Sequence, residues 1–247
     1  MRKEDFPVLQ RKDVTYLDSA CMSLKPETVL EAIQEYYRDL SACPGRSGHS
    51  LSRQTTERVE DARQKVADFI DAAPEDVAFT SGTTESLNLS SQAFNQDKVV
   101  VSDKEHNSNL LPWQDKDLHV LETEEGIDRE KLRELVDEDT VVSLYHRSNV
   151  DGSELPIKKI SKIVHDNGGF LVVDAAQSIS HTKVSVEELN PDVLAFSGHK
   201  ALGPTGTGVL YASERVQEKF ENVKTGGSTV EDARHYSAEY REFPACI

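Results

Sequence analysis

The sequence predicts an α/β fold: a three-layer sandwich with a mostly parallel seven-stranded sheet and helices on both faces. Two observations carry this. From Val77 onward, short apolar runs at 77–80, 99–102, 118–121, 141–145, 170–174, 193–197 and 209–211 alternate with helical stretches at 87–94, 129–136, 157–166 and 214–220, the pattern of a sheet with crossover helices. The 247 residues also suffice for one large domain, with or without a small appendage. In such sheets ligands lie beyond the carboxyl ends of the strands, so the residues after each run are the ones to inspect.

Before the alternating region the pattern is helical. Pro26 is placed as the first residue of a helix whose face is Val29, Leu30, Ile33, Tyr37 and Leu40, broken at Cys43-Pro44-Gly45. A polar tract containing Arg46 and His49 follows, and then a second amphipathic helix marked by Val59, Ala62, Val66, Phe69 and Ile70 and stopped by Pro74. Arg46 and His49 read as exposed loop residues, with a visit to an active site as the sharper alternative.

Charge and cysteine content narrow the function. With 28 Lys and Arg against 44 Asp and Glu, the net charge of -16 repels nucleic acid and anionic membrane, so any anionic ligand must be held locally. There is no apolar run long enough to span a bilayer, and a cytoplasmic protein is expected. Cys21, Cys43 and Cys246 are far apart and form no Cys-x-x-Cys pair, which argues against a disulfide framework and a zinc site; no metal is expected.

The strand ends carry the chemistry. Ser81-Gly82-Thr83-Thr84-Glu85 opens a helix after the first run, and free N–H groups with two hydroxyls there suit a phosphate; taken alone, the segment reads more simply as plain helix capping. Glu105-His106 follows the second run, offering a histidine that could lie against a planar cofactor or simply occupy a loop. Asn149 follows the fourth, as a donor to a phenolic oxygen or a turn former. Asp174 follows four apolar residues of the fifth, where a carboxylate needs a cation such as a protonated pyridine, a metal, or a helix to cap. Ser197-Gly198-His199-Lys200 follows the sixth, where a desolvated amine could attack a carbonyl. An ordinary glycine-rich hairpin is its alternative, while a nucleotide-binding loop is excluded because Val209 and Leu210 stand where Lys and Ser or Thr are required.

Taken in order, these segments resemble the class V aminotransferase family of fold type I pyridoxal-phosphate enzymes, most closely the cysteine desulfurases that resemble selenocysteine lyases. The likeness is carried by Tyr16-Leu17-Asp18-Ser19-Ala20, Gly82-Thr83-Thr84-Glu85, Glu105-His106, Ser148-Asn149, Asp174-Ala175-Ala176-Gln177 with His181, and Ser197-Gly198-His199-Lys200 with Gly203-Pro204-Thr205-Gly206, over residues 14 to 228. It implies the cofactor pyridoxal 5'-phosphate (PLP), with Lys200 as its covalent anchor and Asp174 opposite the ring nitrogen. His106 would stack on the ring, Asn149 and Gln177 would contact its hydroxyl side, and Thr83, Ser197 and His199 would hold the phosphate with Thr84 nearby. Lys200 and His106 are the catalytic candidates.

The resemblance further implies removal of sulfur from L-cysteine, a homodimer in which Gly226-Gly227-Ser228 approaches the partner's cofactor, and a protein acceptor for the sulfur. Relatives continue into a C-terminal small domain carrying the sulfur-accepting cysteine and a carboxylate-binding arginine. That domain is expected to be absent here, so pairing with a chain that supplies it is the other expected assembly. The implied organisation is an N-terminal segment at 1–45, a PLP-binding large domain at 46–228 and a tail at 229–247. The three cysteines are expected to be small buried residues, with Cys21 and Cys43 worth testing as substitutes for the missing thiol. A PLP-binding or pairing protein without turnover, and a class V aminotransferase or lyase for another amino acid, remain alternative readings.

Overall fold

Alternate residues along the apolar runs face opposite layers, and both layers are covered. That is why the runs of the inner strands read as nearly continuous apolar residues, chiefly Val and Leu with Ala and Phe, rather than as alternation with polar residues. The computed structural model describes residues 1–247 except 46, 125, 221, 222, 228, 235 and 236. Seven strands, β1 (Val77–Thr80), β2 (Lys98–Ser102), β3 (Asp117–Leu121), β4 (Thr140–Tyr145), β5 (Phe170–Asp174), β6 (Val193–Ser197) and β7 (Gly208–Ala212), form one sheet in the order β1-β7-β6-β5-β4-β2-β3. The pairings from β3 through β2, β4 and β5 to β6 are parallel, and β7 is antiparallel to both β6 and β1.

One face packs Val100, Val142, Leu171, Val173 and Leu194 against α3 (Ser50–Phe69), α6 (Arg129–Leu135), α7 (Ile157–Asp166) and α8 (Val186–Leu189). The other packs Val99, Val101, Val141, Val172 and Ala195 against α4 (Thr83–Ala93), Trp113, and Val216, Phe220, Phe243 and Cys246 from the C-terminal stretch. In α7 the apolar positions Ile157, Ile160, Ile163 and Val164 are buried while Lys158, Lys159 and Lys162 face out, as the helical period requires. The remaining helices are α1 (Pro7–Arg11), α2 (Glu27–Glu35) and the short α5 (Asn107–Leu110), and β8 (Val230–Arg234) and β9 (Ser237–Tyr240) form a separate antiparallel hairpin. No helix of the described residues is long and apolar enough to cross a membrane.

The strands agree with the sequence expectation to within about one residue, and several helices do not. Pro26 caps α2 instead of opening it, and α2 ends at Glu35 in a π-helical turn over Tyr36–Leu40. Its expected apolar face is not buried: Tyr37 is 70% exposed, and α2 has no buried residue. In α3 the expected face is half met: Ile70, just past its end, is fully buried and Val66 packs on the core, while Ala62 and Phe69 are exposed, and at the N-terminal end the buried residues are Ser52 and Thr55, whose hydroxyls donate to Cys43 O and Leu40 O. The helix expected at 214–220 is only a 3₁₀ turn, Gln217–Phe220. A short helix nucleates poorly, and Arg215 is drawn away to Asp192 and to the carbonyls of Gly168 and Gly169, with its guanidinium over the Phe170 ring.

The antiparallel strand β7 brings Gly208 against Gly82, the residue before α4. A Cβ on Gly208 would lie 2.4 Å from Gly82 Cα and 2.6 Å from its N, atoms of backbone that cannot swing aside. Gly208→Ala is therefore expected to cost about 1–3 kcal/mol, the usual range for overpacking. Urea unfolding of the two proteins checks it, and equal midpoints would show that the close approach is not enforced.

Candidate active site

Five strand ends and one N-terminal segment line a cavity of about 450 Å³. Thr83 and Thr84 come from the β1 end, His106 and Ser108 from β2, Tyr145, Arg147 and Asn149 from β4, Asp174, Ala176 and Gln177 from β5, and Ser197, His199 and Lys200 from β6. Asp18, Ala20 and Cys21 close it from the N-terminal side. All the candidate residues read from the strand ends thus share one cavity, as a parallel sheet dictates. His181 is exposed and off this wall, and His49 caps α3 by accepting the Ser52 amide at Nδ1 (3.2 Å). Arg46 and Ser228 lie outside the described residues.

Asp174 ends a strand flanked by β4 and β6 and is 6% exposed. Its Oδ1 accepts the Ala176 amide at 2.8 Å, and Oδ2 takes no hydrogen bond among the described residues. Burial pushes its pKa up, and the Ala176 amide, Lys200 and His106 oppose that. A buried carboxylate left half-satisfied on a cavity wall is a place for a cationic group.

Lys200 ends a 3₁₀ turn, Gly198–Lys200, after β6; it is half-buried and its amine makes no hydrogen bond or ion pair among the described residues. Next to it, Ser197 Oγ accepts the Thr83 amide at 2.7 Å and shares a second 2.7 Å bond with Thr83 Oγ1. Gly82, the N-cap of α4, has no side chain to cap the helix, so the β6 hydroxyl does so in its place. The hydroxyls, the first turn of α4 and its dipole make this corner suited to an anion. Burial, with Lys200 and Lys25 adding to it, lowers the pKa of His199, so its ring offers a neutral donor or acceptor there.

On the opposite wall His106 caps α5, with Nδ1 accepting the Ser108 amide at 3.1 Å, and Thr84 Oγ1 bonds Ser108 Oγ at 2.7 Å. Asn149 is exposed at the rim. Gln177 donates through Nε2 to Ala20 O at 2.7 Å, which joins the β5 end to the N-terminal segment. Sequence reasoning gave no site role to Asp18, Ser108 or Arg147; the tract containing Arg147 was read only for Asn149, although it also placed a cation at a strand end. Arg147 pairs with Glu154 at 2.9 Å. The expectation that all three cysteines are buried holds for Cys246 alone: Cys21 and Cys43 are exposed, because they lie on segments outside the three layers.

This arrangement, an unpaired amine, a half-satisfied buried acid and an anion corner, fits a ligand that is at once a carbonyl compound, a base and an anion: the cofactor of a lysine-dependent amino-acid enzyme. The chain belongs to the class-V aminotransferase family, whose model matches residues 15–247. It is 39% identical to a probable cysteine desulfurase of Methanothermobacter thermautotrophicus, over 98% of this chain and 63% of that protein. It is 41% identical to one of Pyrococcus abyssi, over 93% and 60%. Among solved structures, the apo cysteine desulfurase of Thermococcus onnurineus matches with a TM-score of 0.91 and 37% identity over all of this chain and 66% of that one. The cysteine desulfurase CsdA of Escherichia coli matches with 0.86 and 33% over 98% and 64%. The chain thus spans a little under two thirds of the length of these relatives. Class-V aminotransferases and cysteine desulfurases use PLP, and a half-satisfied Asp174 and an unpaired Lys200 amine lining one cavity fit that cofactor.

Glu105, beside His106, is a half-buried residue whose carboxylate is turned inward. Its carboxylate accepts Ser102 Oγ at 2.6 Å, the Tyr145 amide at 3.0 Å and Asn109 Nδ2 at 2.7 Å, tying the ends of β2 and β4 to α5. Burial outweighs these donors and lifts its pKa from an ordinary 4.5 to about 7. A carboxyl whose folded pKa is raised stabilises the fold at low pH, and that contribution is lost as pH rises through about 7. Glu105→Gln, which a flipped Asn109 amide can still meet, is expected to gain on the wild type between about pH 5 and about pH 8 in urea unfolding. A stability difference that stays constant across that range would show that Glu105 ionises normally.

Proposed function

We propose that this chain binds PLP and acts in the removal of sulfur from L-cysteine. The observation that carries the reading is the meeting of Lys200, Asp174, Thr83 and Ser197 in the lining of one cavity; the substrate comes from what the relatives are named for.

When bound, PLP supplies an electron sink through its protonated pyridine ring. Asp174 holds the positive charge of that ring, for which its buried position is suited. Thr83, Ser197 and His199 hold the phosphate at the start of α4, with Thr84 beside them. Lys200 would be the point of covalent attachment, and its amine is the group in this cavity that would act as the base moving a proton. His106 covers the ring, its orientation set by the Ser108 amide, and Asn149 and Gln177 lie at the hydroxyl side. A homodimer or a pairing with a second chain, a protein acceptor for the sulfur and a cytoplasmic setting accompany this reading.

Added PLP is expected to give a visible absorption band that borohydride fixes onto the Lys200 peptide; Lys200→Ala abolishes both, and Asp174→Ala weakens PLP binding at least about tenfold, a loss of about 1.4 kcal/mol. Sulfide release from cysteine in the presence of a reductant then tests the substrate. A wild type without the band rejects the cofactor site, and a band with transamination of other amino acids but no sulfide rejects the cysteine reading.

Thiol labelling gives an independent check, because Cys21 lies on the cavity wall, Cys43 is exposed away from it and Cys246 is buried. PLP is expected to slow alkylation of Cys21 and leave Cys43 unchanged, with Cys246 reacting only on unfolding. Equal rates at Cys21 with and without PLP would place the cofactor elsewhere.

A further inference from the structure

The segment around Tyr16-Leu17-Asp18-Ser19-Ala20 adds almost nothing to the core: Leu17 is 89% exposed. It is nonetheless fixed in shape. The Tyr16 hydroxyl donates to Met22 O at 2.6 Å, and the amides of Cys21 and Met22 both donate to Asp18 O at 3.1 Å. This loop crosses the cavity and then meets the lysine turn through one buried side chain, Ser23.

Ser23 holds both sides of Lys200. Its amide and its hydroxyl donate to His199 O at 3.0 and 2.8 Å, and the same Oγ accepts the Leu202 amide at 2.8 Å. The His199 carbonyl belongs to the peptide bond that enters Lys200, so its orientation fixes the plane from which the lysine side chain starts. Leu202 has φ +66, a left-handed conformation that a leucine seldom adopts and that persists only where the surroundings enforce it. Lys25 completes the contact: its ammonium donates to His199 O at 2.9 Å and to Ser23 O at 2.6 Å, and it has no carboxylate partner among the described residues.

We propose that Ser23, supported by Lys25, is a positioning residue that clasps the Lys200 turn from outside and sets the approach of its amine to the cofactor. Serine is suited to this because one hydroxyl donates and accepts at once. Alanine at this position would leave the Leu202 amide without its partner and free the turn to relax. The inference rests on the reading of Lys200 as the PLP anchor, but half of its test does not.

Amide exchange followed by NMR on the full chain without PLP reads the clasp directly. In Ser23→Ala the Leu202 amide is expected to exchange about tenfold faster, the worth of one hydrogen bond, while amides within β6 and β7 keep their protection; Ser23→Thr restores it. In parallel, attachment of PLP to Lys200, followed by the visible band and by borohydride trapping, is expected to slow about tenfold in Ser23→Ala and by less in Lys25→Met. Unchanged exchange at Leu202, or wild-type attachment in both variants, overturns the clasp while leaving the anchor in place. If Ser23→Ala does not fold, Lys25→Met decides: slowed attachment supports the clasp, and a wild-type rate overturns it. A wild type that never attaches PLP overturns the anchor and with it the functional role of Ser23.

Discussion

The approach of Gly208 to Gly82 is the constraint on which the site depends. Because β7 runs antiparallel between β6 and β1, its first residue lies against the loop that opens α4, with no room for a side chain between them. Only at that distance can Ser197 reach across from β6 and accept the Thr83 amide at 2.7 Å. Helix caps are ordinarily supplied by the residue just before the helix; here Gly82 gives up that role so that the backbone can pass, and a residue 114 positions away takes it over. The helix N-terminus and the lysine strand are thereby locked to one another, and the anion corner and the amine share one wall.

Two inward-turned carboxylates, those of Glu105 and Asp174, divide the remaining electrostatics of the site. Glu105 has three donors on its two oxygens and so behaves as a structural tie among β2, β4 and α5. Asp174, the more deeply buried residue, has one donor on one oxygen. A folded chain rarely leaves such a group half-served unless something else is to meet it, and this contrast, more than burial alone, separates the acid that holds the fold from the acid that faces a ligand. At the opposite end of the sheet Asp192 follows the first pattern: Arg215, His165 and the Leu171 amide all reach it, and this ionic knot steadies the lower ends of β5 and β6. The chain's large negative charge therefore says little about the site, which is governed by a few local donors and cations.

What could be read from the sequence follows the same physics. Strands buried on both faces, β2 and β4 to β7, announce themselves as apolar runs, and the edge strands β1 and β3 still show short ones, so the strands and the residues at their ends were legible, Asp174 and Lys200 above all. Helical periodicity gives a face but not what covers it. The apolar side of α2 was legible as a pattern, yet Ile33 and Tyr37 stay exposed in this chain, and the burial of Ser52 and Thr55 in α3 rests on hydroxyl-to-carbonyl bonds that no periodicity encodes. The N-terminal strap was legible only as a motif. Ser23 and Lys25 act through backbone carbonyls and amides 174 to 179 residues away, and a partner that is only backbone leaves no mark in the sequence.

That separation also says how the lysine turn is made. From inside, the turn is closed by the Gly203 amide on Gly198 O at 2.8 Å and the Gly198 amide on Thr207 O at 2.9 Å, both short-range contacts that form with the β6–β7 hairpin itself. These leave the peptide before Lys200 and the left-handed Leu202 without a partner of their own. The strap supplies it from the far end of the chain, 174 to 179 residues away, so the contact exists only where the fold brings the two ends together. A turn restrained by so distant a segment is not self-sufficient, and the orientation of the amine is a property of the whole α/β layer structure and not of the glycine-rich loop that carries it.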